Sequence, residues 1–221
     1  KCVVLHLKVN GLKKLIKFKK KKRFVYLISP NKIKSNSFYN QLKQIFKLKK
    51  VAYFQLRLKK ESKKKKLIIG KKIQKLCKRY NVKFIINDDP ILAKKINADG
   101  CHIGQSDMNI SLARKILKGH ILGITCHNSK KLIKKAIKNK ANYIALGAFF
   151  PTKTKRSKYK ANIKILNWSK NTTNIPIVAI GGINLDNYKK LLLNKANFLA
   201  ISGYIWNNKK YKPFEAISNL K

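Results

Sequence analysis

Two short motifs hold three of the seven acidic residues in this 221-residue chain, Asn87-Asp88-Asp89 and Gln105-Ser106-Asp107. Each follows an apolar run of strand character, Phe84-Ile85-Ile86 and Cys101-His102-Ile103. Carboxylates that close neighbouring strands, in a chain with 54 Lys and Arg, point to a divalent-metal or phosphate site more than to chance surface acids. Gln55, Arg57 and Lys59 place an amide and two cations at alternate positions, which project from one face of an extended segment. Thr125 and His127 end another apolar run, and Pro151-Thr152-Lys153-Thr154-Lys155 adds hydroxyls and cations after the next. Asp88 and Asp107 holding Mg²⁺, with Arg57, Lys59 and Lys155 around them, suit a diphosphate. Gly181-Gly182 and Ser202-Gly203 form a separate cradle where backbone can approach a phosphate closely, which implies a second phosphorylated substrate.

Bringing these groups to one mouth requires a repeating scaffold. From residue 24 onward, eight apolar runs read as strands: 24–28, 51–56, 83–86, 100–104, 121–125, 142–146, 175–180 and 198–201. Between them lie amphipathic, lysine-faced stretches such as Leu132, Ile133, Ala136 and Ile137, whose spacing defines one buried helical stripe. Eight strand-helix units predict an α/β fold, a closed (β/α)₈ barrel of parallel strands over residues 24–221, with the polar residues at the C-terminal rim. Residues 1–23 read as a basic extension, helical or a loose tail, whose order of apolar and basic blocks is the reverse of a secretory signal. Asp89-Pro90 reads as a helix N-cap, Ser129 or Asn128 as another, and Asn184 with Asp186 as the start of the seventh helix. Glu61, Asp99 and Glu215 are expected to be ordinary surface or turn residues.

The formal net charge of +47 invites a nucleic-acid reading. Only five of the 54 basic residues are Arg, the side chain suited to bidentate recognition, and the lysines recur on most helices instead of clustering in one. A solvated lysine surface is the expectation, with no specific nucleic-acid partner and only weak, non-specific RNA binding at low salt. Cys2, Cys77, Cys101 and Cys126 make no CxxC pair, which points to buried thiols in a reducing, cytoplasmic compartment. Strand alternation sends Cys101 and His102 to opposite faces, and likewise Cys126 and His127, so core packing is favoured over zinc. No apolar run approaches the length that spans a membrane, and no membrane partner is expected.

Gln55-x-Arg57-x-Lys59, Asn87-Asp88, Gly104-Gln105-x-Asp107, Pro151-Thr152-x-Thr154-Lys155, Ile180-Gly181-Gly182-Ile183 and Ile201-Ser202 occur in the order and with about the spacing of the thiamine-phosphate synthase family. The resemblance covers 24 to about 206. It implies a transferase of thiamine biosynthesis that condenses hydroxymethylpyrimidine diphosphate with hydroxyethylthiazole phosphate, giving thiamine phosphate and pyrophosphate. By matching position it implies Asp88 and Asp107 as Mg²⁺ ligands. Arg57, Lys59, Asn87 and Lys155 would contact the diphosphate, with Arg57, Lys59 and Lys155 catalytic, and Gln55 would meet the pyrimidine. Thr125 stands where the family usually has a serine near the pyrophosphate. Thr152, Thr154, Gly182, Ile201 and Ser202 would hold the thiazole phosphate.

Two departures stand out. Leu58 replaces the acid usual between Arg57 and Lys59, and the Pro-x-Gly segment expected after Lys155 is missing. Leu58 points away from the mouth by strand alternation. The nearest alternative is the related thiazole tautomerase, for which His127 is a plausible proton-transfer group. Gln105-x-Asp107 and the Thr-x-Thr-Lys run argue against it, because a tautomerase needs neither a diphosphate site nor its metal. A basic RNA-binding protein, the alternative from another class, would not need the rim constellation.

Overall fold

The structure, a computed structural model, describes residues 3–9, 12–18, 23–33, 35–152 and 159–221. The first two strands, β1 (Val3–Val9) and β2 (Leu12–Phe18), pair antiparallel with Val3 opposite Phe18 and Val9 opposite Leu12. Over 3–9 and 12–18 the chain is strand, where a helix or loose tail was expected for 1–23. The strand signal was in the sequence: Val3, Leu5, Leu7 and Val9 alternate, and Asn10-Gly11 between the strands is the dipeptide most favoured in two-residue hairpin connections.

Eight strands then alternate with helices: β3 (Val25–Ile28), β4 (Val51–Leu56), β5 (Lys83–Asn87), β6 (Gly100–Ile103), β7 (Ile121–His127), β8 (Tyr143–Gly147), β9 (Ile177–Ile180) and β10 (Phe198–Ile201). All neighbours pair parallel, and β10 closes onto β3, so the sheet is the expected (β/α)₈ barrel. The helices are α1 (Ser37–Lys47), α2 (Lys63–Arg79), α3 (Pro90–Ile96), α4 (Ile110–Leu117), α5 (Lys130–Lys138), α6 (Lys164–Thr172), α7 (Tyr188–Leu193), α8 (Gly203–Trp206) and α9 (Pro213–Ser218). None of the helices among the described residues is long and apolar enough to cross a membrane.

Strand alternation divides the core in two. Val25 and Leu27 join the shell between sheet and helices with Leu42, Ile45, Phe54 and Phe84. Tyr26 and Ile28 turn into the barrel with Ile85, Tyr143, Ala145, Val178 and Ala200. Tyr143 fits there because Gly123 faces it across the β7–β8 pair: a Cβ on Gly123 would collide with the tyrosine ring. On α5 the predicted stripe holds, with Ile133 and Ala136 buried and Leu132 and Ile137 packed at its margins.

The expected caps hold where the residue precedes the helix. Asp89 Oδ1 accepts from Leu92 N at 2.8 Å, with Pro90 as the first helical residue. Ser129 Oγ accepts from Leu132 N at 3.3 Å, while Asn128 Oδ1 accepts from Asn162 N at 3.2 Å, so Ser129 is the cap and Asn128 ties two loops together. Asn184 Oδ1 accepts from the N–H groups of Asp186 and Asn187, building the turn ahead of α7 instead of capping it. The three acids read as ordinary have definite partners. Asp99 accepts from Lys83 and from Phe84 N, Glu61 pairs with Lys65 at 2.8 Å, and Glu215 accepts from Lys212 N at 2.9 Å to start α9.

Candidate functional site

Lys59, Asp88 and Asp107 converge at the C-terminal rim. Lys59 Nζ lies 2.9 Å from Asp88 Oδ2. Asp88 follows β5 with φ at 65°, and its N–H donates to His102 O at 2.8 Å, which turns its side chain out of the strand line. Asp107 Oδ2 accepts from Gly104 N at 2.7 Å. Burial first, and then the Asp88 carboxyl that it meets, hold the Asp107 carboxyl above its ordinary range, against the Gly104 N–H and Lys59, which pull it down. Two carboxylates sharing a half-buried site gain from any cation placed between them.

Arg57 leaves β4 with its N–H on Ser29 Oγ at 2.9 Å and its guanidinium on Asn31 Oδ1 at 3.2 Å. Ser29 also accepts through its carbonyl from Ser202 Oγ at 3.3 Å, so one residue ties the cationic side of the rim to the β10 side. Trp206 Nε1 donates to Ile28 O at 2.6 Å and fixes the same corner. Leu58 is buried, as strand alternation required.

Gln55 is 3% exposed and donates from Nε2 to the Tyr26 hydroxyl at 3.1 Å. Asn87 ends β5 opposite His102. Thr125 is half-buried on β7, its hydroxyl 2.8 Å from His102 Nε2 and its carbonyl accepting from Gln105 Nε2. His127 has φ at 52° and its ring lies 4.1 Å, centroid to centroid, from that of Tyr159.

On the opposite side, glycine is needed to let a neighbouring loop approach. Gly182 has φ at 61°, and a Cβ there would collide with Phe150 and the Pro151 carbonyl. Phe150 N donates to Gly181 O at 3.1 Å, and Asn187 Nδ2 to Gly182 O at 3.0 Å. The close approach is between Gly182 and the Phe150–Pro151 backbone, and Thr152 follows Pro151 in the chain. Ile201 is 2% exposed with its side chain in the outer core, so only its main chain faces the mouth. Thr154 and Lys155 lie outside the described residues.

Sequence reading missed Ser29, Asn31, Tyr26, Tyr143 and His102. Ser29-Pro30-Asn31 was readable as a polar run at the end of a strand. The tyrosines fall inside apolar runs, where a ring and its hydroxyl give one signal, and His102 beside Cys101 reads as a core residue of a strand. Cys77, Cys101 and Cys126 are free and buried, and burial raises all three thiols, Cys126 to about 12. Among the described residues no group of three or more His, Cys, Asp or Glu gathers as a metal site, so Asp88 and Asp107 stand as a pair.

Residues 25–205 match the family model described as thiamine monophosphate synthase. The chain belongs to this family. It is 66% identical over 200 residues to the thiamine-phosphate synthase of Pelagibacter ubique, covering 90% of this chain and 97% of that protein. It is 41% identical over 153 residues to that of Nitrosomonas eutropha, covering 69% and 72%. Among solved structures, the thiamine phosphate pyrophosphorylase from Pyrococcus furiosus superposes with a TM-score of 0.79 at 26% identity, covering 90% of this chain and 94% of that one. The rim cluster therefore sits in a chain similar to these proteins along nearly its whole barrel.

Proposed function

We propose that this chain joins hydroxymethylpyrimidine diphosphate to hydroxyethylthiazole phosphate, forming thiamine phosphate and releasing pyrophosphate. The observation that carries the residue assignment is the convergence of Lys59, Asp88 and Asp107 at one rim. The donor set fits magnesium, which takes one or two carboxylates and fills its other positions with substrate phosphate oxygens and water. When bound, Mg²⁺ supplies charge neutralisation to the diphosphate.

The chain's own residues do the rest. Breaking the bond from the pyrimidine methylene carbon to the diphosphate oxygen sends the electron pair to the leaving group. Arg57, Lys59 and Lys155, with Asn87 and Thr125, take up that charge by hydrogen bonds and ion pairing. Arg57 is preorganised for this by Ser29 and Asn31. Gln55, whose Nε2 is committed to Tyr26, turns Oε1 to the pyrimidine's amino group. That electron-rich ring stabilises the carbocation, so no protein nucleophile is required. Thr152, Thr154, Gly182, Ser202 and the Ile201 main chain anchor the thiazole phosphate, which holds the thiazole nitrogen ready to capture the cation.

The purified chain, given both phosphorylated heterocycles, is expected to form thiamine phosphate with Mg²⁺ and to lose that activity with a chelator. Isomerisation of a thiazole carboxylate phosphate without formation of thiamine phosphate would reverse the reading.

A further inference from the structure

Five side chains from five strands form one hydrogen-bonded run through the barrel interior. Gln55 Nε2 meets the Tyr26 hydroxyl at 3.1 Å, and Tyr26 meets the Tyr143 hydroxyl at 2.7 Å. Tyr143 meets His102 Nδ1 at 2.9 Å, and His102 Nε2 meets Thr125 Oγ1 at 2.8 Å. Tyr26, Gln55, His102 and Tyr143 are all buried, and the Tyr143 and His102 rings stack nearly parallel. The space is built for them, since any side chain on Gly123 would displace Tyr143.

Such a run has two possible directions. A protonated phenol owns one hydrogen, and a neutral imidazole owns one N–H, so fixing either end fixes every donor between. If Gln55 donates, Tyr26 donates to Tyr143, Tyr143 donates to His102 Nδ1, and His102 Nε2–H donates to Thr125. The threonine's own proton is then left for whatever lies at the mouth. In the opposite direction Gln55 Oε1 accepts, Thr125 gives its single proton inward to His102, and only lone pairs face a diphosphate. A pyrimidine amino group at Gln55 requires Oε1 outward, which leaves Nε2 inward as the donor.

We propose that the run is directed from Gln55 to Thr125, so that Tyr26, Tyr143 and His102 are positioning residues that aim the Thr125 hydroxyl proton at the leaving diphosphate. Binding of the pyrimidine at one end thereby sets the hydrogen bond offered to the leaving group at the other. This rests on the reaction reading above, which places a pyrimidine at Gln55 and a diphosphate at Thr125.

Two measurements test it. In uniformly ¹³C,¹⁵N-labelled protein, with the His102 ring signals assigned by through-bond correlation to its own backbone, His102 is expected to carry its proton on Nε2 and to leave Nδ1 bare. A proton on Nδ1 overturns the proposal without any variant having to fold. In single-turnover formation of thiamine phosphate, Thr125→Val and Tyr143→Phe are each expected to slow the step by on the order of tenfold, the scale of one hydrogen bond to a charged group. The double variant should be slower by little more than the worse single one, because each alone already removes the aimed Thr125 proton from the leaving diphosphate. Multiplying effects, or an unaffected Tyr143→Phe, would overturn it. An unaltered protein with the expected tautomer that makes no thiamine phosphate would instead overturn the reaction reading and the assigned role of Thr125 with it.

Discussion

Asp99 meets Lys83 at 2.7 Å below the barrel, and Asp88 meets Lys59 at 2.9 Å above it. The pairs are alike in chemistry, in distance and in partial exposure. At the lower end the second Asp99 oxygen accepts from Phe84 N at 2.9 Å, and the ammonium of Lys83 is held protonated by the same carboxylate. Asn142 and Asn197 repeat the device. Each stands just ahead of a strand and accepts from the backbone of the strand before, at Leu122 N and Ile177 N, both at 2.9 Å. Three side-chain oxygens thus satisfy three strand N–H groups that the parallel ladder leaves over. At the upper end the neighbour of Asp88 is a second carboxyl, Asp107, which burial and Asp88 together push toward its protonated form. An acid-lysine pair is structural where backbone donors complete it, and available for chemistry where a second acid leaves the charge unbalanced.

The sharpest way to break this contrast is to neutralise the upper acids. Asp88→Asn and Asp107→Asn are each expected to lower kcat/KM for thiamine phosphate formation by on the order of 10²-fold or more, with an unchanged circular dichroism spectrum. Near-normal turnover in both would remove the assignment of these residues to the diphosphate site. Asp99→Ala should do the reverse. It leaves Phe84 N–H without its acceptor, costing about 1–3 kcal/mol in denaturant unfolding while kcat/KM stays close to the parent value. The Lys83 side of that pair gives a sign as well: an ammonium stabilised in the fold contributes stability below the ordinary lysine range and loses it as pH rises through that range. The alkaline limb of the unfolding curve should therefore flatten in Asp99→Ala.

A smaller effect belongs to Ser202→Ala, which removes one hydroxyl from a neutral cradle. About 1 kcal/mol is expected, in the apparent affinity for the thiazole phosphate and not in that for the pyrimidine diphosphate. Steady-state kinetics varying each substrate in turn would show equal changes in both if the cradle were not a separate site. The smallest effect is one of sign. Asp107 binds its proton more tightly folded than unfolded, so the stability tied to that proton is present at acid pH and lost as pH rises past the ordinary carboxylate range. Asp107→Asn mimics the protonated form, and its Mg²⁺-free melting temperature at neutral pH should be equal to or above that of the parent. A clear fall would show that the carboxylate is held by a stabilising contact.

The sequence by itself determined the barrel. Eight apolar runs with amphipathic stretches between them carry periods of two and 3.6, and those periods follow from backbone geometry whatever the neighbours are. It also determined the rim, because Gln55, Arg57 and Lys59 alternate and because Asp88 and Asp107 each fall just past a strand. The signal for the N-terminal strands is equally local, in the alternation of Val3, Leu5, Leu7 and Val9 and in the Asn-Gly pair, though lysines dominate the composition of the segment. Only the tertiary structure decided which acid does which work. Asp99 and Asp88 each close a short apolar or turn segment in the sequence, and nothing local says that one will find Phe84 N and the other Asp107. The interior run from Gln55 to Thr125 was likewise beyond sequence reading. Its members sit as many as 117 positions apart, as Tyr26 and Tyr143 do, and in one dimension a buried tyrosine hydroxyl is indistinguishable from the ring that carries it. Closing β10 onto β3 sets those hydroxyls within hydrogen-bonding distance, and a contact made by ring closure leaves no mark in the order of the residues.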